Sequence, residues 1–309
     1  MEPNYLQIED QQSNKYHPIV PFLAVAVPFL LVKFVISEFV VKKIAIHFGL
    51  NKGNDRRKSS KSLNGERTLS QNERKKASSQ NKYSNFDKFC ESANKFVWYT
   101  FIWIYGLIMH WNKPWLWDIE SCWTDFGHGY TLDVWYYGVF LTAYYLEACT
   151  MYFVRVRRKD FMIMLIHHIC LMGIVAVVWY YGLYAIGVLD MFLHDFADIF
   201  MELAKCVKYL KFTVITNVLF ALFVVSWIVT RMYLFPMYVV RSGLEDRYGV
   251  LRKISLYYYW NGISLVLMCL HTIWTYMILR AVVRAIRTGV AEDDRSDDED
   301  DIKDEQKKE

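Results

Sequence analysis

The sequence predicts an all-α, polytopic membrane protein, and three observations lead to that fold class. Apolar residues make up 54% of the 309 residues and aromatic residues 17%, whereas charged residues make up only 22%. The charge is segregated, so that long windows of the chain are almost free of it. Lys and Arg recur in every second connection between these windows. This composition excludes a collagen, a disordered chain and a small disulfide scaffold.

About seven windows are apolar enough to be transmembrane helices, since a bilayer core of about 30 Å needs about 20 helical residues. They are residues 19–41, 96–110, 132–154, 161–181, 186–204, 212–235 and 256–279. The second window is short, and only a tight turn near Gly182 separates the fourth from the fifth, so six or eight spans also fit. The polar N-terminus lacks the basic start of a cleaved signal peptide, so we expect the first span to be retained.

The basic residues predict the orientation of the chain, because cytosolic loops retain Lys and Arg. They follow the first, third, fifth and seventh windows, as Lys42, Lys43, Arg56, Arg57 and Lys58, then Arg155, Arg157, Arg158 and Lys159, then Lys205, Lys208 and Lys211, then Arg280, Arg284 and Arg287. This pattern predicts a luminal N-terminus and a cytosolic C-terminus. Four basic residues in the predicted luminal loop 240–254 weaken the signal, whereas the tryptophans of loop 111–130 suit a lipid–water interface.

Outside the windows the charge divides into a basic loop and an acidic tail. Residues 51–95 hold 12 basic and 5 acidic side chains, which predicts a disordered or loosely folded cytosolic loop beside anionic lipid headgroups. Residues 292–309 hold 11 acidic and 4 basic side chains, so the tail carries −7 and the rest of the chain +11. We divide the chain into 1–50 with the first span, the basic loop 51–87, a transmembrane domain 88–287 and the tail 288–309. Membrane lipids, and no nucleic acid, are the expected partners of the basic loop.

Ionisable side chains in two predicted spans mark the candidate site, because such groups are costly in a bilayer and normally face a bundle interior. The fourth window holds the adjacent pair His167 and His168. The fifth holds a polar stripe, which consists of His194, Asp195, Asp198, Glu202 and Lys205. Steps of three or four residues place the last four of these on one helix face. The two windows are antiparallel neighbours, so we expect the histidine pair and the stripe to meet at a similar depth.

Imidazoles that face carboxylates suit general acid–base chemistry, since a carboxylate fixes a histidine tautomer and raises its basicity. Two other interpretations remain open. The polar residues could be hydrogen-bonded packing residues or a proton or ion pathway, or they could bind zinc or iron. The sequence lacks the HxxxH and HxxHH patterns of membrane di-iron enzymes, and its six cysteines form no CxxC, so we expect no metal.

The segment from His167 to Lys205 resembles the Lag1 motif of the ceramide synthases, within the TLC domain family. That motif reads HH, then a run that ends in GxL, then HDxSDxxLExAK; this chain has HH at 167, GVL at 187 and HDFADIFMELAK from 194. The resemblance extends over residues 88–279. Ala197 replaces the Ser of the motif, and several residues between its two halves also differ, which leaves the substrate open.

The resemblance implies a TLC-type helical bundle in the endoplasmic reticulum membrane that joins a fatty acyl-CoA to sphingosine or sphinganine, giving ceramide or dihydroceramide and free CoA. Acyl-CoA is then a co-substrate, and no cofactor is implied. The catalytic residues implied are His167, His168, Asp195 and Asp198, and the residues implied to bind substrate or the oxyanion are His194, Glu202 and Lys205. His167 would act as nucleophile or general base.

Two regions outside the motif complete the expected function. CoA is a large anion, so we expect it to approach a basic rim that consists of Arg155, Arg157, Arg158, Lys159 and Lys208. Ser296 precedes three acidic residues and matches the site of an acidophilic kinase, and an acidic tail with such a serine also resembles the family. A homo- or hetero-oligomer is compatible with the sequence.

Two other classes of protein fit the predicted topology. A seven-span receptor has the same orientation, but the sequence lacks DRY-like and NPxxY-like elements and a cysteine pair placed for an external disulfide. A non-catalytic TLC-domain lipid sensor or transport accessory is the second alternative. Relatives without catalysis are expected to lose the histidine pair, which this chain retains.

Overall fold

The computed structural model describes residues 19–50, 85–124, 130–154 and 161–289. Within these ranges every regular element is a helix and no strand occurs, in agreement with the predicted all-α class. The predicted acidic tail and nearly all of the predicted basic loop lie outside the described residues.

Seven long helices make up the described part of the chain, and we number them α1 to α7. Helix α1 runs through Ile19–Ile36, a π-helical segment Ser37–Val41 and Lys42–His47. The next four are α2 at Asn85–Trp111, α3 at Leu132–Val154, α4 at Phe161–Tyr181 and α5 at Tyr184–Tyr209. Helix α6 runs through Thr213–Trp227, a π-helical segment Ile228–Val240 and Arg241–Glu245, and α7 is Tyr257–Thr288. Short helical turns lie between them at Pro114–Leu116, Ser121–Thr124 and Val250–Lys253.

Four of the described helices are long and apolar enough to cross a membrane, namely Pro21–His47, Phe161–Tyr181, Thr213–Glu245 and Tyr257–Thr288. The chain is therefore a multi-pass membrane protein. Helices α2, α3 and α5 are less apolar, and α5 alone carries six charged residues. The bounds of α3 and α4 coincide with the predicted windows, whereas the other five helices extend beyond theirs at one end or both.

The expectation that residues up to 95 form a loose loop is wrong, because α2 already begins at residue 85. Its first turns are amphipathic: Phe86 and Phe89 are buried and pack with Ala45 of α1 and Cys206 of α5. The polar face carries ion pairs of the i,i+4 type that favour a helix, such as that between Glu91 and Lys95 at 2.8 Å. The few apolar residues of this stretch therefore lie on one face and hold α2 against the bundle.

Helix α5 is the central element of the bundle. It packs most extensively against α2 and α6, and it also contacts α3 and α4. A tight turn at Gly182 joins α4 to α5, as predicted, and its φ of +75° lies in the left-handed region that favours glycine. Further along, a Cβ built on Gly187 would clash with Cγ2 of Val178, so only glycine lets the two helices approach this closely.

Candidate active site

The polar stripe of α5 enters the bundle, but its members face different neighbours. Asp195 is completely buried and accepts a hydrogen bond at Oδ1 from the hydroxyl of Tyr145 on α3. Its other oxygen, Oδ2, is buried and has no hydrogen-bond partner among the described residues. Asp195 therefore presents one carboxylate oxygen that is free to accept a hydrogen bond from a ligand.

Asp198 is held by a different helix, through an arginine of α6. Nη2 of Arg231 donates to Oδ2 of Asp198 at 3.0 Å, and the guanidinium lies 4.3 Å from the ring centroid of Trp227. Arg231 is only 5% exposed and lies in the π-helical segment of α6. π-Helical turns are frequent at functional sites. The segment therefore fits a functional requirement on the direction of the Arg231 side chain. No prediction from the sequence assigned a role to Arg231.

His194 has a defined tautomer when it is neutral. Its Nδ1 donates to the backbone carbonyl of Asp190 at 2.7 Å and lies 3.2 Å from Oδ1 of the same residue. A carbonyl oxygen only accepts hydrogen bonds, so Nδ1 carries the proton and Nε2 of the neutral ring carries a lone pair. That Nε2 is buried without a hydrogen-bond partner in the described ranges.

The two rings of the predicted histidine pair face different helices. The ring of His167 packs edge-on against Trp274 of α7 with centroids 5.3 Å apart, and its Nδ1 is buried with no partner in the described part of the chain. Nδ1 of His168 lies 3.5 Å from Sγ of Cys149 on α3. Successive residues of a helix point about 100° apart, so both rings cannot face the same neighbour. The structure thus brings His167, rather than both histidines, toward α7.

A further histidine, His271 of α7, joins this group, and no prediction from the sequence named it. Its ring centroid lies 5.0 Å from that of His194 and 6.3 Å from that of Trp274, which also contacts His167. His271 is 1% exposed. The signal was present in the sequence, because an ionisable residue within the predicted span 256–279 is as costly as those in the fourth and fifth spans.

The remaining predicted site residues lie further along α5 or outside the described ranges. Glu202 is buried, and Nζ of Lys205 lies 2.8 Å from its Oε1, while Lys208 is half-buried near the end of α5. Arg155, Arg157, Arg158, Lys159 and Ser296 lie outside the described residues. Imidazole and carboxylate are ligand types that zinc accepts, but no group of three or more potential ligands with suitable geometry occurs within the described ranges.

Fold and site together define a multi-pass helical membrane protein with a buried cluster of histidines and carboxylates between α4, α5, α6 and α7. Residues 88–280 match the family profile described as TLC domain. The chain therefore belongs to the TLC domain family, which confirms the resemblance noted in the sequence.

Ceramide synthases are prominent among the similar proteins. Ceramide synthase 5 of Homo sapiens is 34% identical over 224 residues, which cover 71% of this chain and 56% of that protein. Ceramide synthase LOH2 of Arabidopsis thaliana is 32% identical over 226 residues, 68% of this chain and 74% of the relative. Alternaria stem canker resistance protein 1 of Solanum lycopersicum is 28% identical over 318 residues, 95% and 94% of the two chains. The chain thus spans just over half the length of the human ceramide synthase, 56%.

Proposed function

We propose that this protein is an N-acyltransferase that joins a fatty acyl-CoA to a sphingoid long-chain base and releases free CoA. The product is ceramide or dihydroceramide. Relatives that are named ceramide synthases support the proposal. The proposed reaction uses acyl-CoA as a co-substrate and no cofactor.

The observation that carries the proposal is a buried imidazole nitrogen with no partner among the described residues, Nδ1 of His167. With the proton of the neutral ring on Nε2, this Nδ1 carries a lone pair that can attack a thioester or accept a proton from an amine, because no hydrogen bond must first be broken. Helix α4, which carries His167, packs against α5, which carries Asp195 and Asp198. A base or nucleophile and two carboxylates therefore belong to neighbouring helices of one bundle.

The carboxylates suit the second substrate, whose amine arrives as an ammonium and loses a proton before it attacks. The free Oδ2 of Asp195 can accept a hydrogen bond from this ammonium. Because Arg231 holds the carboxylate of Asp198 in place, Asp198 can orient the substrate only while it stays paired with Arg231. His167 then acts either as a nucleophile, through an acyl-imidazole, or as the general base for direct attack, with His168 beside it. His194, Glu202 and Lys205 are further proposed contacts of the substrates.

The proposed arrangement in the membrane has seven spans, a luminal N-terminus and a cytosolic C-terminus in the endoplasmic reticulum. CoA cannot enter the bilayer, so the thioester reaches the site from the basic rim while its acyl chain lies among the helices. Lys208 is the member of that rim that belongs to the described residues. Ser296 is proposed as a phosphorylation site of the tail.

Purified protein given acyl-CoA and sphinganine tests the proposal. We expect an N-acylated base as product, and we expect the His167→Ala variant to lose at least about 100-fold in rate, as general acid–base catalysis typically contributes. His47→Ala is the matched control, because His47 is an exposed histidine of α1. A His167→Ala variant as active as the control would contradict the assigned role. Wild-type protein that forms no N-acyl product would favour the lipid sensor.

A further inference from the structure

His271 is the most conspicuous buried group that the proposed reaction does not yet use. It is 1% exposed, and both of its ring nitrogens lack a hydrogen-bond partner in the described part of the chain. A buried polar atom without a partner destabilises the folded protein, and His271 carries two such atoms on one ring. A purely apolar packing role would be filled better by Phe or Leu. The retained imidazole therefore indicates a ligand that hydrogen-bonds to it.

The ring of His271 is enclosed by aromatic side chains and lies beside other polar groups. The ring of Phe235 lies 5.2 Å away and that of Trp227 6.0 Å away, both edge-on, and Trp274 lies one turn further along α7. The ring of His194 lies 5.0 Å from that of His271 between centroids, and the guanidinium of Arg231 lies over the ring of Trp227 on the same side of the bundle. A hydrogen bond made here is worth more than one in water, because the aromatic walls exclude solvent.

The tautomer of His194 decides which of the two rings can donate. Nδ1 of His194 already donates to the backbone carbonyl of Asp190, so its Nε2 can only accept while the ring is neutral. Neutral His271, by contrast, has one N–H and one lone pair, and neither is used within the described residues. Of these two neutral imidazoles, His271 is thus the one that can donate a hydrogen bond to a ligand.

We propose that the ring N–H of His271 donates to the carbonyl oxygen of the acyl group, which makes His271 a further catalytic residue; this inference rests on the N-acyltransferase function proposed above. When the amine attacks, the C–N bond forms and the carbonyl electron pair moves to oxygen. The pair returns when the C–S bond breaks and the thiolate of CoA leaves. One proton passes from the amine nitrogen to the base and on to the thiolate, so atoms and charge balance.

The donor has the same task in either reaction route. If an acyl-imidazole forms on His167, the oxygen becomes negative once in the attack by His167 and once in the attack by the amine. The rings of His167 and His271 both contact the ring of Trp274, and in the proposed arrangement the oxygen of a carbonyl attacked by His167 points toward His271. Removal of one oxyanion donor typically costs 10²–10³ in kcat.

A matched pair of variants separates a donor from a packing residue. His271→Phe keeps an aromatic ring but has no N–H, whereas His271→Gln and His271→Asn lose the ring but keep an amide N–H near the positions of Nε2 and Nδ1. We expect His271→Phe to lose about 100-fold or more in kcat with an unchanged KM for acyl-CoA, and at least one amide variant to recover tenfold or more over it. A packing role predicts the opposite order.

Two controls keep the outcome clear. Each variant is taken as folded only if it elutes as one species in detergent and unfolds cooperatively; if His271→Phe does not, His271→Leu replaces it. Active wild-type protein with a fully active His271→Phe or His271→Leu variant overturns this inference alone. Wild-type protein that makes no N-acyl product overturns the proposed function and the role of His271 with it.

Discussion

Replacing Arg231 by Met should destabilise the protein strongly, because it leaves Asp198 without its partner inside the bundle. Nη2 of Arg231 lies 3.0 Å from Oδ2 of Asp198, and the two side chains are only 7% and 15% exposed. Breaking a buried pair by removing one partner costs about 3–5 kcal/mol, and the contact of the guanidinium with Trp227 adds about 1–2 kcal/mol. Since Asp198 retains some exposure, we expect a total loss of about 4 kcal/mol.

A double-mutant cycle tests this origin of the loss. Asp198→Asn removes the acceptor charge, and the double variant Arg231→Met with Asp198→Asn has neither charge to bury. We expect the double variant to be more stable than Arg231→Met alone by about 2 kcal/mol, since the uncompensated carboxylate is then absent. An exposed arginine of α7, Arg280, supplies the control variant Arg280→Met, which should change the stability by less than about 0.5 kcal/mol.

The free energy of unfolding can be measured for the wild type and all four variants by titration with SDS in mixed micelles, followed by tryptophan fluorescence. An Arg231→Met variant that behaves like the Arg280→Met control would refute the reasoning. A double variant that is no more stable than Arg231→Met would also refute it, because the penalty would then not come from an unpaired carboxylate.

Three further predictions concern other parts of the molecule. Lys33→Met should lower the free energy of unfolding in detergent by about 1–3 kcal/mol, since Lys33 of α1 is ion-paired with Glu147 of α3 within the bundle. An unfolding free energy equal to that of the wild type would contradict this. Gly187→Ala should cost about 1–3 kcal/mol in the same assay, and adding Val178→Ala should recover at least half, because the new Cβ would otherwise clash with Val178. Deletion of residues 292–309 should lower the apparent KM for acyl-CoA at low salt only, because the tail, which carries −7, competes with anionic CoA for the basic loops. An unchanged KM would count against this competition.

Helix positions could be predicted from the sequence where a polar connection directly abuts an apolar run. Helices α3 and α4 have this character, and their observed bounds equal the predicted windows. Helix α2 does not, because its first turns are polar on one face, and only the burial of Phe86 and Phe89 marks them as part of the bundle. Average hydropathy over a window therefore misses the ends of helices that are amphipathic.

The pairing of α4 with α5 and the main polar residues followed from the sequence, but their partners did not. Spacing placed Asp195 and Asp198 on one face, yet they bind partners on different helices, Tyr145 of α3 and Arg231 of α6. Tyrosine is frequent in these helices, so Tyr145 gave no signal. Single ionisable residues such as Arg231 and His271 did carry a signal in the sequence, because the cost of burial in a bilayer applies to a single charged group as much as to a cluster.

The most direct test of the proposed function is the stoichiometry of the reaction of the purified wild-type protein in lipid nanodiscs. The protein is given a mixture of acyl-CoA chain lengths with sphinganine, and both the free CoA and the N-acylated base are quantified by mass spectrometry. We expect one amide formed for each CoA released, and loss of both products in the His167→Ala variant. Release of CoA without amide formation, or equal product from the His167→Ala variant, would contradict an acyl transfer at this site.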